Sequence, residues 1–245
     1  MKHRYLMVLI ATLLCLLTVS EITGQHLGQV HERMFLMRDS LQMYAWIHES
    51  PAGDEVPLII CLPQRGTTHR SFDRFYIDLV GYVRRHADDS LLLPHVMVLD
   101  LRGHGKSVHK DDSVVNYATM GEDEYRKIPL DVAGILEELD SFQEAPKRDQ
   151  LLSKIGAGDK ILLGASIGAN SALLTTQHYP DIAGVVMLSP GEDYFGLTPL
   201  DAASEYDGRM LIVTARKDAY SHASSLKLAK AAGDNCELVK WGGDA

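Results

Sequence analysis

Lys160-Ile161-Leu162-Leu163-Gly164-Ala165-Ser166-Ile167-Gly168-Ala169 is the stretch on which the reading of this chain turns. Its apolar opening has the length of a buried strand, and Ile167–Gln177 patterns as a helix. Between them stands Gly-x-Ser-x-Gly. Small residues flanking a serine permit a sharp turn that holds it in a strained backbone conformation. Its hydroxyl then stands at a helix N-terminus, where backbone N–H groups can stabilise a developing oxyanion. The pattern alone also fits a glycine-rich structural turn. The apolar strand before it and the small-residue helix after it favour a nucleophile.

Outward from this turn the chain alternates. Short apolar runs recur at Leu58–Leu62, Val96–Leu99, Gly184–Leu188, Met210–Thr214 and Glu237–Trp241, as strands buried on both faces require. Met34–Met37 and Leu41–Ile47 read as a hairpin about Arg38-Asp39-Ser40. Phe72–Arg85, Leu130–Phe142 and Ser221–Ala231 carry helical periodicity. Lys106–Asp123 and Phe142–Gly158 are weakly patterned, and neither reads as an interdomain linker. Strand and helix in alternation predict one α/β domain, a mostly parallel sheet with helices on both faces.

A second segment, Asp100-Leu101-Arg102-Gly103-His104-Gly105-Lys106-Ser107, follows the run Val96–Leu99. With this turn after the fourth strand and Gly-Ala-Ser-Ile-Gly after the fifth, the chain resembles the α/β-hydrolase family over about residues 34–245. The resemblance implies the α/β-hydrolase fold, an eight-stranded sheet whose second strand is antiparallel to the rest. It points to a capless branch, similar to serine esterases, dienelactone hydrolases or serine peptidases, because Ser189–Gly208 is too short for a large lid. It also implies that His104 belongs to a structural turn. Cys61 on a central strand and Cys236 on an edge strand are then too far apart to bridge.

The same resemblance assigns roles. Ser166 is the nucleophile, and the N–H groups of Ile167 and Arg65 form the oxyanion hole. Where relatives carry His-Gly-x-Gly, this chain has Pro63-Gln64-Arg65-Gly66; only the N–H of Arg65 is required, so the hole survives the departure. The Arg65 guanidinium reads as solvated or, alternatively, as an attractor of anionic substrates. Asp218, at the end of Met210–Thr214 and its turn, is the expected acid; an ordinary helix cap is the other reading. Glu192 and Asp193 are the backup acids. The base should follow the last strand, yet Gly242-Gly243-Asp244-Ala245 holds no histidine. Neither does the closing helix of similar proteins follow. Truncation ahead of the base is the leading expectation and a true pseudo-enzyme the alternative. His69, on the loop after the third strand, is the least implausible substitute; His222 can pair only locally, and His178 should point away.

The N-terminus differs from the rest. Lys2 and Arg4 precede an uncharged run, Tyr5–Val19, followed by the small or polar Ser20, Thr23 and Gly24. That is the layout of a secretory signal peptide, shorter than the roughly 20 residues of a spanning helix. Residues 1–20 are therefore expected to be a signal peptide and 21–245 the mature domain, secreted or periplasmic, with an uncleaved anchor as the alternative. The 245 residues are 46% apolar and 23% charged, ordinary globular values, with a net charge of −9. No basic patch suggests nucleic acid. Three cysteines make neither a disulfide scaffold nor a zinc site. No metal or organic cofactor is implied.

Two classes follow. One is an exported serine hydrolase acting on a small-molecule ester, thioester or amide through an acyl-enzyme, impaired in the chain as it stands. The other is a non-catalytic binding protein on the same scaffold. Substrate identity and oligomeric state are not written in the sequence.

Overall fold

The structure, a computed structural model, describes residues 30–86 and 92–242. The expected signal segment lies outside these residues. The sheet has eight strands: β1 (Val30–Leu36), β2 (Gln42–His48), β3 (Leu58–Leu62), β4 (His95–Leu99), β7 (Lys160–Ala165), β8 (Gly184–Leu188), β9 (Arg209–Ala215) and β10 (Cys236–Trp241). Their spatial order is β1-β2-β4-β3-β7-β8-β9-β10. Only β2 runs against its neighbours; β3, β4, β7, β8, β9 and β10 pair in parallel.

Burial explains the order. Every residue of β3 and β4 is buried, whereas the edge strands β1 and β10 carry exposed positions. Along β3 the side chains alternate between two cores: Leu58, Ile60 and Leu62 enter one, Ile59 and Cys61 the other. The second core is roofed by α1 (Asp73–His86) through Phe75, Tyr76, Leu79, Val80 and Val83. At its β8–β10 end Leu188, Val213 and Val239 are only half-buried. The first core packs under α3 (Ile128–Glu144), α4 (Gln150–Gly156), α5 (Ile167–Thr175) and α6 (Leu200–Glu205). α7 (Ala219–Ala232) adds Leu228.

Several expectations need correction. Phe142–Gly158 is not irregular: α4 forms there, with Asp149 capping the N–H groups of Leu151 and Leu152. Lys106–Asp123 contains a two-stranded ribbon, β5 (His109–Lys110) with β6 (Ser113–Val114), and leads into α2 (Glu122–Tyr125). The first hairpin strand starts earlier than the apolar pattern suggested, at Val30, and the second ends one residue later, at His48. Cys61 and Cys236 are both free thiols on strands four spacings apart, about 19 Å at the usual separation. No helix among the described residues is long and apolar enough to cross a membrane.

Candidate active site

The turn from β7 into α5 holds Ser166 at φ 53°, ψ −117°, a left-handed conformation that a serine adopts only when its surroundings impose it. Backbone bonds impose it here. The Ser166 N–H donates to the Leu188 carbonyl at 2.9 Å, and its own carbonyl accepts from Ala169 (2.9 Å) and Asn170 (3.2 Å). Gly168 allows the helix to start this close to β3. A Cβ at that position would lie 2.1 Å from the Leu62 carbonyl oxygen. The Ile167 N–H is the first amide of α5, so it has no acceptor within the helix.

Leu62 pairs with Gly164, which sets the loop after β3 beside this turn. Gln64 accepts from both the N–H and the hydroxyl of Thr67, folding Arg65 and Gly66 into a tight turn at the sheet's C-terminal rim. The Arg65 guanidinium is not simply solvated. Its Nε donates to the Tyr125 hydroxyl at 2.7 Å and its Nη2 to the Tyr117 carbonyl at 3.2 Å. The rings of Phe195 and Tyr117 lie 4.8 and 5.4 Å from its central carbon.

Asp218 stands after β9, exposed, as the N-cap of α7, where its carboxylate accepts from the Ser221 N–H at 3.1 Å. The helix-cap reading therefore describes one of its contacts. The end of β10 lies next to its turn, since Arg216 N–H donates to the Trp241 carbonyl. The backup acids serve other partners. Glu192 pairs with Lys227, and Asp193 accepts from the Gly196 N–H.

Among the described residues no histidine is brought to Ser166. His69 donates its N–H to buried Asp100 at the end of β4, sets Nδ1 3.1 Å from the same carboxylate, and stacks on Trp46 of β2 at 3.4 Å. Both partners lie on the far side of β3 from Ser166. His104 is buried in its turn against the Arg102 carbonyl and stacks on Tyr117, and burial lowers its pKa. His222 bonds the Asp218 carbonyl through its backbone N–H, and its buried Nδ1 has no partner among the described residues. His178 borders a groove of about 520 Å³ beside α3, away from this rim.

The residue that sequence reasoning missed is Tyr194. Its phenol interacts with the Ser166 side chain and feels the charge of Asp218. Burial, and then the Asp218 carboxylate, raise its pKa; the bond with Ser166 opposes this. It thus remains a phenol at neutral pH and is no general base. Asn170, one turn into α5, fixes the loop that carries it. Its Nδ2 donates to the carbonyls of Gly191 (2.9 Å) and Leu197 (2.7 Å), and its Oδ1 accepts from the Gly191 N–H. The segment after β8 thus brings Tyr194 to the Ser166 turn. No local pattern could have signalled this, because these contacts span 21 and 27 residues.

A serine on a strained strand-to-helix turn, with free amides beside it and an acid at the next rim turn but one, defines the hydrolase class of α/β proteins. The sequence profile described as "Alpha/beta hydrolase family" matches residues 59–235, and the chain belongs to that family. No curated protein matches it. Among solved structures it is similar to the esterase Pf2001 of Pyrococcus furiosus (TM-score 0.63, 13% identity, 91% of this chain and 87% of that one). The peroxisomal α/β-hydrolase Lpx1 of Saccharomyces cerevisiae gives 0.63 at 10% identity, covering 90% and 84%. The acylaminoacyl peptidase of Pyrococcus horikoshii gives 0.62 at 12%, with 92% of this chain but only 40% of the peptidase covered.

Proposed function

We propose that this protein is an exported serine hydrolase that cleaves an ester, thioester or amide through an acyl-enzyme on Ser166. The observation that carries the reading is the strained conformation of Ser166 at the mouth of α5. Ser166 Oγ attacks the acyl carbon, and the N–H groups of Ile167 and Arg65 hold the oxyanion. Collapse expels the alcohol, thiol or amine, and water then releases the acid. Asp218 is the acid that orients an imidazole.

No described residue at Ser166 serves as the proton acceptor. No histidine follows β10 in residues 1–245, and the phenol of Tyr194, which interacts with Ser166, is no base. We expect these residues alone to acylate slowly. In a related triad on another fold, loss of the base costs about 10⁶ in turnover, and the oxyanion hole retains roughly 10³-fold. The test is labelling by a serine-directed fluorophosphonate. Slow labelling absent from Ser166→Ala, and accelerated by free imidazole, supports a hydrolase awaiting its base. If imidazole evokes no Ser166-dependent labelling, the second reading stands: a non-catalytic binding protein on the same scaffold.

Export is read from Lys2, Arg4 and Tyr5–Val19. Protein from the native host should begin near Glu21 outside the cytoplasm. Intact Met1 in a soluble cytoplasmic fraction would overturn it.

A further inference from the structure

Arg65 is oriented by a built clasp. The buried Tyr125 hydroxyl accepts from its Nε while donating to the Tyr117 carbonyl at 2.6 Å, and that same carbonyl accepts from Nη2. The floor is Phe195, which stacks on Tyr125 at 4.4 Å and sits at φ 56°. A phenylalanine in the left-handed region is strained, and such strain gathers at ligand clamps. The clasp uses the Nε–Nη2 side of the guanidinium. Among the described residues the hydrogens of Nη1 and the second of Nη2 have no acceptor, and one from each nitrogen forms a free planar edge.

That charge has no acidic partner among the described residues. The carboxylates nearest to the clasp in sequence are engaged elsewhere: Glu122 and Asp123 with Arg126, Glu124 with Arg102 and Lys127, Asp193 with the Gly196 N–H. In a chain of net charge −9, this guanidinium is held at the rim beside the nucleophile without neutralisation. The adjoining residue of its floor, Tyr194, interacts with Ser166, and Asn170 of α5 bonds the Gly191 and Leu197 carbonyls on either side of it. One step of chain, about 3.8 Å between Cα atoms, therefore separates the residue at the nucleophile from the ring under Arg65.

We propose that Arg65 binds a carboxylate on the acyl portion of the substrate, making this a hydrolase of half-esters of dicarboxylic acids or of similar carboxylate-bearing acyl groups. The planar edge of two parallel N–H bonds matches a carboxylate in bidentate fashion. A spacer of a few methylenes joins that carboxylate to the carbonyl over Ser166. The proposal rests on the reading of Ser166 as nucleophile, and its test separates the two.

The binding arm uses full-length Ser166→Ala protein, which cannot be acylated there. Monomethyl adipate and its neutral counterpart dimethyl adipate are titrated while the backbone amide resonances of Gly66 and Ile167, present in every variant, are followed by NMR. Monomethyl adipate should bind about tenfold more tightly or better, as one charge-assisted bond implies. Arg65→Met should abolish the preference and Arg65→Lys retain part of it; Arg65→Gln replaces Arg65→Met if the latter unfolds. Equal affinities, or a preference surviving Arg65→Met and Arg65→Gln, would show that the clasp only packs the loop, and overturn the proposal. The acylation arm compares mono-(4-nitrophenyl) adipate with 4-nitrophenyl hexanoate on the unmutated protein with added imidazole. The Oγ–acyl bond forms as 4-nitrophenolate leaves. Faster acylation by the adipate ester supports both readings. Acylation without selectivity removes the carboxylate site alone. Anion-selective binding without Ser166-dependent acylation removes the hydrolase reading alone.

Discussion

The turn after β4 and the turn after β7 stand on the same rim, with only β3 between their strands, and use their polar groups in opposite ways. The first spends them on itself. Asp100, 1% exposed, accepts from the His69 N–H (2.7 Å) and the Lys106 N–H (2.8 Å) and lies 3.1 Å from His69 Nδ1. Gly105 is required there, because a Cβ would stand 1.8 Å from that carboxylate. Arg102, equally buried, binds Asp131 (2.7 Å), Asp39 (2.8 Å) and Glu124 (2.9 Å). The backbone of the Ser166 turn is closed by backbone bonds, and the first amide of its helix has no acceptor within the helix. A reacting carbonyl needs donors that are fixed but unsatisfied. The neighbouring ion-pair cluster supplies rigidity without consuming those donors.

The comparison breaks most forcefully at Arg102. Arg102→Met leaves Asp131, 4% exposed, buried without its counter-charge. Removing one partner of a buried pair costs about 3–5 kcal/mol. Urea unfolding should show that loss. A loss below 1 kcal/mol would mean that the cluster is not the buckle described here.

Asn170 is the corresponding fastener on the Ser166 side. Asn170→Ala deprives the Gly191 N–H and the Gly191 and Leu197 carbonyls of their partner in a buried setting. An unsatisfied buried polar group costs about 1–3 kcal/mol. The same unfolding measurement should place this variant between the unmutated protein and Arg102→Met. Unchanged stability would show that the Tyr194 loop is held by other contacts.

How far each turn could be read from sequence follows from the range of its contacts. The central strands were legible because β3, β4 and β7 are buried on both faces, which demands unbroken apolar runs. The elbow was legible because close approach to β3 excludes side chains at Gly168. α4 escaped because seven residues under one Asp149 cap leave little periodicity. Arg65 could be numbered but not oriented. Its clasp comes from Tyr117 and Tyr125, 52 and 60 residues away, so nothing near Arg65 encodes it. Tyr194 was invisible for the same reason.

A pH-dependent effect distinguishes two carboxylates on one guanidinium. Burial pushes the Asp131 carboxyl from 3.8 up to about 6, against the pull of Arg102, and the charges of Asp39 and Glu124 add to the rise. Arg102, and then Lys110, hold the more exposed Asp39 well below the usual carboxylate range. The signs are therefore opposite. Between about pH 4 and 6 the folded protein binds a proton at Asp131 that the unfolded chain has released, so this group's contribution is full below about pH 4 and lost as pH rises through 6. Asp39 contributes fully above its unfolded value near 3.8, and its share is lost as the pH falls below that. Stability measured from pH 2.5 to 7 should show both slopes. Asp131→Asn should remove the decline between about pH 4 and 6, and Asp39→Asn should flatten the rise below pH 4. If Asp131→Asn leaves the upper window unchanged, burial does not outweigh Arg102 at that carboxyl, and the cluster holds it ionised throughout.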